Sequence, residues 1–191
     1  MSFQKDNYYV DKVLNGDINA YAILVNKHKD MVFTIANRII RNREDAEEIA
    51  QDAFMKAFEH LKNFKKKAKF STWIYRITYN ASISRIRKKN PETISMDDTT
   101  VDNFSFDENN LEILDKPEDE QKRLIKIALN HLNEQDHLII TLFYLKEKSV
   151  EEISEITNLS KSNIKVKLHR IRNKIYKELY HLIGEKVNLA V

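Results

Sequence analysis

The side chains in this sequence that could do chemistry are placed to bind rather than to react. Between Ile156 and Lys177 there are seven basic residues and no acidic one. At helical spacing Ser162, Asn163, Lys165, Val166, His169, Arg170 and Asn173 share the face opposite an apolar stripe of Ile164, Leu168, Ile171 and Ile175. Amides, hydroxyls and cations on one helical face are the groups that hydrogen-bond base edges and phosphates in a duplex groove. A second basic run lies between Glu59 and Glu92, with ten Lys and Arg and no acid, interleaved with Phe64, Phe70, Trp73, Tyr75 and Tyr79. Cations attract phosphate in a salt-sensitive way, and aromatic rings can stack on unpaired bases. The residues alone leave two readings open here: a strand-binding surface, or core aromatics beside a soluble charged loop. A third cluster, Glu47, Glu48, Gln51 and Asp52, shares the outward face of one helix, either as a solvated surface or as a protein-docking face.

Constellations for catalysis are missing from the sequence. There is no cysteine, and so no thiolate metal site or thiol nucleophile. The six histidines have no metal-ligand spacing, and neither a His-Glu-x-x-His run nor a Walker-type glycine loop occurs. No metal, no cofactor and no enzymatic activity are expected.

The elements that must position these groups are helices. Only two glycines and two prolines interrupt 191 residues, too few for an all-β chain. An apolar stripe from Tyr21 to Ile40 predicts a helix with Asp17 or Asn19 as its cap. Asn42, with Asp45 three residues on, predicts the start of a second, whose inward stripe runs Ala46, Ile49, Ala50, Ala53, Phe54, Ala57, Phe58, Leu61. Ser71 is the expected cap of a third, ending near Lys89, with Trp73, Ile74, Ile77 and Ala81 inward. Periodicity resumes after Pro117, with one helix through Leu124, Ile127, Ala128 and Leu132 and another from an Asn133 cap to Leu145. Ser149-Val150-Glu151-Glu152 has the pattern of a capping box, Asn158 can end that short helix in the left-handed conformation, and Ser160 can cap the long basic one. A short helix, a tight turn and a longer basic helix form the helix-turn-helix layout, in which the second helix enters the major groove.

Charge divides the chain. Residues 1–90 carry 18 basic and 10 acidic side chains, residues 91–120 one basic and eleven acidic, and residues 121–191 thirteen basic and eight acidic. Two basic helical domains, 1–90 and 119–191, are expected on either side of a flexible acidic linker, 91–118, with a short helical patch near Leu111–Leu114. The polar start and the absence of a long apolar run predict a cytoplasmic chain without membrane insertion.

Three motifs carry a resemblance. Asp45-Ala46-Glu47-Glu48-Ile49-Ala50-Gln51-Asp52-Ala53-Phe54, then Phe70-Ser71-Thr72-Trp73-Ile74-Tyr75-Arg76-Ile77 with Asn80, then Val150 to Ile156 with Lys165 to Arg172, stand in order along the chain. Together they resemble the extracytoplasmic-function RNA polymerase sigma factors. The resemblance implies an all-α, two-domain initiation factor that binds core RNA polymerase and promoter DNA. Glu47, Glu48, Gln51 and Asp52 would dock the clamp helices of the β′ subunit. Phe64, Lys65, Lys66, Lys67, Lys69, Arg76, Tyr79, Asn80 and Arg87 would open and read the −10 element. Ser162, Asn163, Lys165, Val166, His169 and Arg170 would read the −35 element, with the same domain touching the β flap. The acidic linker would thread the polymerase's RNA channel, and an anti-sigma factor is a partner common in the family. Ser84 stands where the family commonly has Asp, and Asn163 where it usually has Thr, so the promoter sequence itself does not transfer. A stand-alone duplex-binding regulator and a metal-dependent nucleic-acid hydrolase are the alternative readings of the same residues.

Overall fold

The computed structural model describes residues 2–89 and 117–189, and within them every regular element is helical. The helices are α1 Ser2–Leu14, α2 Asn19–Ile40, α3 Arg43–Glu59, α4 Phe70–Lys89, α5 Glu118–Asn130, α6 Glu134–Ile140, α7 Val150–Thr157 and α8 Lys161–Leu189. A single 3-10 turn, Leu61–Asn63, follows α3, and α6 runs on into a π-helical turn, Thr141–Leu145. Most of the linker expected at 91–118, with its short patch near Leu111, lies outside the described residues.

α2, α3 and α4 form a three-helix core with α1 laid across it. α2 buries Leu24, Val32, Ile35 and Ile39, and α3 offers it a narrow seam of Ala46, Ile49, Ala53 and Ala57. Alanines let the two backbones come close, while the larger Phe58 of the expected stripe stays 41% exposed. The helix caps match expectation in part. Asn42 Oδ1 accepts the Asp45 amide at 2.9 Å. Neither Asp17 nor Asn19 caps α2, whose cap position is Ile18 with no side-chain hydrogen bond. The turn is shaped instead by Gly16 at φ 100°, where the Asp17 and Gly16 amides close on the Lys12 and Val13 carbonyls in a Schellman pattern. Ser71 does not cap α4 either. The helix has already begun at Phe70, whose fully buried ring anchors the chain, and Ser71 is itself buried.

α1 was not foreseen. One of its inward residues is Asp6, only 3% exposed, held by Lys27 and His28 of α2. α4 also defeats a simple stripe, because it is covered on two sides, by α2 and α3 and by α7. Its buried Thr78 and Ser82 satisfy their hydroxyls on the Ile74 and Thr78 carbonyls one turn back, both at 2.9 Å.

In the second domain, α6, α7 and the first half of α8 bury Leu138, Ile139, Leu142, Ile153, Ile156, Ile164, Leu168 and Ile171. α5 packs on the later part of α8 through Leu124, Ala128, Leu179 and Ile183. The two domains are in contact: the apolar core of the first continues through Tyr75 and Tyr79 into that of the second.

Candidate nucleic-acid and polymerase interfaces

The helix-turn-helix is built from its caps outward. The Ser149 hydroxyl accepts the Glu152 amide and the Glu152 carboxylate accepts the Ser149 amide, each at 3.1 Å, so α7 starts with a complete capping box. Asn158 ends α7 at φ 59°, ψ 26°, the left-handed conformation that the turn requires. The Ser154 hydroxyl bonds the Leu159 carbonyl at 2.6 Å, and Ser160 accepts the Asn163 amide at 3.1 Å to start α8. With Ile164, Leu168 and Ile171 turned inward, Ser162, Lys165, Val166 and His169 face solvent and Asn163 and Arg170 are half-buried.

Not all the cations of α8 belong to that face. Lys167 and Lys174 each place Nζ 3.4 Å from Asp136, a carboxylate 4% exposed at the start of α6. Arg172 donates to the Tyr144 hydroxyl at 2.8 Å and lies over its ring. These three brace α8 against the rest of its domain, a division of labour that a count of basic residues does not reveal.

In the first domain the expected strand-binding residues separate into two groups. Lys65, Lys67, Arg76, Asn80 and Arg87 are exposed. Phe64 is buried and stacks within a cluster with Phe70 and Trp73, ring centroids 5.1–5.9 Å apart. Tyr79 is also buried, its hydroxyl accepting from Gln135 of the second domain at 2.9 Å. As the chain stands, these two rings are core residues, not open platforms for bases. Lys66, at φ 56°, pairs with Asp11 of α1, and Lys69 pairs with Glu152 at 3.0 Å.

Between α3 and α4 runs a groove of about 680 Å³, with Lys56, His60, Asn80, Ser84 and Lys88 around it and Ile49 and Ile77 in its floor. Its Asp52 ties the acidic face of α3 to the same groove. That acidic face is partly neutralised from within: Glu48 bonds Arg85 at 2.6 Å, Asp45 bonds Lys89 at 2.6 Å, and Glu47 bonds Arg43 at 2.9 Å. Donating to Glu48 pushes the Arg85 guanidinium pKa further up, and the hydrogen bond from Lys89 pulls Asp45 down. Glu47, Glu48 and Gln51 remain exposed, with Met55 beside them 57% exposed.

Two histidines that sequence reading left aside lie at buried, charged junctions. The His28 imidazole is 3.1 Å from Asp6 and 3.3 Å from the Tyr75 hydroxyl, and Lys148 of the second domain sits over the Tyr75 ring. With Nε2–H donating to Asp6, Nδ1 is left to accept the Tyr75 proton. Burial lowers the His28 pKa against the pull of Asp6. His137 is lowered further, to about 4, by burial and then by Arg38 and Arg41. No cluster of metal-ligating side chains occurs among the described residues.

The described residues form two all-α units, one with a basic loop and an acidic helix and the other with a helix-turn-helix, the layout of a DNA-binding protein. Residues 24–92 match the Sigma-70 region 2 family and residues 122–175 the Sigma-70, region 4 family. The chain is 33% identical over 184 residues to the ECF RNA polymerase sigma factor SigW of Bacillus subtilis, covering 91% of this chain and 96% of that one. It is 26% identical to the ECF RNA polymerase sigma-E factor of Escherichia coli, covering 93% and 96%. Among solved structures its fold is similar to CnrH, solved in complex with the cytosolic domain of CnrY, at a TM-score of 0.65 and 19% identity over 92% of this chain and 97% of that one. It is also similar to the sigma factor RpoE of Bartonella quintana, solved in complex with the anti-sigma factor NepR, at 0.61 and 20% over 84% and 96%. The chain belongs to the extracytoplasmic-function family of RNA polymerase sigma factors. It binds core RNA polymerase and promoter DNA and directs promoter-specific initiation of transcription.

Proposed function

We propose a division of that activity among the surfaces described above. Residues 1–90 form the domain that docks polymerase and takes the −10 element, residues 119–191 form the domain that reads the −35 element, and 91–118 is the acidic tether. The observation that carries this reading is the fully capped helix-turn-helix, which turns Ser162, Lys165, Val166 and His169 outward on one face. A helix so presented fits the major groove, with Asn163 and Arg170 at its flanks.

On the first domain, Lys65, Lys67, Arg76, Asn80 and Arg87 form the exposed cationic and amide surface for the melted strand, and the α3–α4 groove beside Asn80 and Ser84 offers room for an unstacked base. Glu47, Glu48, Gln51 and Asp52 dock the β′ clamp helices, and the second domain meets the β flap. The −10 charge of residues 91–120 suits a segment that occupies a channel built for RNA. The sigma factor RpoE, of similar fold and solved with the anti-sigma factor NepR, supports an anti-sigma factor as a further partner. The chain carries out no bond chemistry itself. No described helix is long and apolar enough to cross a membrane, which suits a cytoplasmic protein.

The test is transcription in vitro. Core polymerase with this chain should start discrete transcripts from a few sites on genomic templates, and core polymerase alone should not. Absence of any promoter-specific start would overturn the reading.

A further inference from the structure

Among the seven residues expected on the reading face of α8, Val166 is the one whose side chain has no hydrogen-bonding group. Ile164, Leu168 and Ile171 turn into the core of the domain, each at most 3% exposed. Val166 stands two residues past Ile164, about 200° round the helix, and is 44% exposed. Its neighbours one turn away are Ser162, Asn163, His169 and Arg170, all polar. The fold gains little from a valine there, because a β-branched residue is a weaker helix former than a straight-chain one and an exposed one gains little packing.

The polar groups around Val166 leave it uncovered. Lys167 faces Asp136 at 3.4 Å, and Arg172 donates to the Tyr144 hydroxyl at 2.8 Å, both on the side that braces α8. The His169 ring meets the Asn173 amide one turn further along the helix, at 3.5 Å. The middle of the reading face is therefore an isopropyl group.

In a helix-turn-helix the first residues of the second helix meet base edges, and Val166 is the sixth residue of α8. The major-groove edges of the four bases carry hydrogen-bonding groups and a single apolar one, the C5 methyl of thymine. An isopropyl group set against that methyl buries two apolar surfaces. Set against the N4 amine of cytosine, or O6 and N7 of guanine, it strips water from a polar group and returns no hydrogen bond. Its branched Cβ restricts χ1, so the side chain is largely ordered before it binds.

We propose that Val166 reads a thymine: the base pair under the second turn of α8 is A·T, its thymine methyl lies against Val166, and this contact separates thymine from cytosine in the upstream promoter element. The inference rests on the assignment of α8 as the −35 reader under the proposed function.

The test uses the holoenzyme, core polymerase with the full chain. A duplex library randomised over the upstream element is selected on it, and each thymine of the selected site is replaced singly by deoxyuridine. That change deletes the methyl and keeps the base pair. Competition against a fluorescein-labelled copy of the selected duplex gives the affinities.

The wild type should lose about fourfold at one thymine, the value of one buried methyl group. It should lose roughly tenfold when that T·A pair becomes C·G, and 5-methylcytosine in place of the cytosine should return part of the loss. In Val166→Ala, whose melting temperature should match the wild type, the deoxyuridine effect at that position should shrink to less than twofold. No thymine sensitive to deoxyuridine, or a sensitive one whose loss is as large in Val166→Ala, overturns the thymine contact alone, as long as Asn163→Ala and Lys165→Ala still weaken the selected duplex. If those two substitutions change nothing, or selection returns no preferred sequence, the assignment of α8 falls and the inference with it. If Val166→Ala melts early, Val166→Thr takes its place, with the same shape and a hydroxyl that suits a polar base edge. An unchanged preference for thymine over cytosine in Val166→Thr overturns the proposal.

Discussion

Asp6 Oδ2 and His28 Nε2 lie 3.1 Å apart, and neither residue is more than 5% exposed. The pair fixes α1 to α2 and, through the Tyr75 hydroxyl 3.3 Å away, reaches the face of α4 that meets the second domain. Replacing Asp6 by Ala should leave the buried His28 imidazole without the carboxylate that accepts its Nε2 proton, costing about 2 kcal/mol of stability. Urea unfolding of Asp6→Ala against wild type measures it, and an unchanged midpoint would show that α1 contributes nothing.

Both buried histidines make the fold sensitive to acid in the same direction. Each has a native pKa below the usual value near 6.5, His137 at about 4 and His28 lowered by burial. The unfolded chain therefore binds more protons between about pH 6.5 and pH 4, so stability is present above that window and is lost as the pH falls through it. The urea midpoint should fall steadily from pH 7.5 to pH 4.5. His137→Gln, which cannot take up a proton, should flatten the fall.

Asp136 is the charge on which α8 is braced. Its carboxylate accepts from Asn133 at 3.1 Å and lies 3.4 Å from both Lys167 and Lys174. Asp136→Asn keeps the shape but withdraws the charge that both lysines face. A loss of about 2 kcal/mol in stability is expected, with duplex binding weakened because the reading helix is less firmly held. Circular dichroism melts and duplex titration give the two readouts.

How far the sequence was legible depends on the range of the forces involved. Asn42, the capping box at Ser149 and the left-handed Asn158 act within one turn of chain, and all three stand where their residue types require. Ser71 has the right type for a cap but lost to Phe70, because burying that ring set the start of α4 two residues earlier than the hydroxyl would have. α1 escaped notice because its inward Asp6 is satisfied by Lys27 and His28, residues that only folding brings near it. The outward face of α8 could be read from periodicity, and core burial of Phe64 beside Phe70 and Trp73 is one of the two readings the residues leave open, whereas the burial of Tyr79 could not be read, since the glutamine that holds it arrives from the second domain.

The acidic face of α3 should be tested where its charges do not hold α4. Glu48 holds Arg85 at 2.6 Å, so Glu48→Lys would set two cations together and cost stability of up to about 1 kcal/mol in its own right. Glu47→Lys with Gln51→Lys changes two exposed residues and should leave the melting temperature nearly unmoved. Affinity for core polymerase should fall at least tenfold while duplex affinity is unchanged or slightly raised. A regulator working without polymerase would show no such loss, and its promoter activity would survive both substitutions.

The outward face of α8 makes separable predictions for attraction and for reading. Lys165 is exposed on a helix whose other cations are partly occupied, so Lys165→Ala removes one phosphate contact. Binding should weaken about equally on every duplex, and the slope of log affinity against log salt should drop by about 1. Asn163 differs in kind: its backbone N–H is held by Ser160 at 3.1 Å, which fixes the first turn, and in the proposed reading its side chain meets a base edge. Asn163→Ala should keep the salt slope and relax preference at a single base pair, by about 1–3 kcal/mol of discrimination. Selection from a randomised duplex library, run on both variants, distinguishes the two behaviours. A uniform loss for Asn163→Ala would place that residue on the backbone and shift base reading to Val166 and His169, the next exposed residues of the same face.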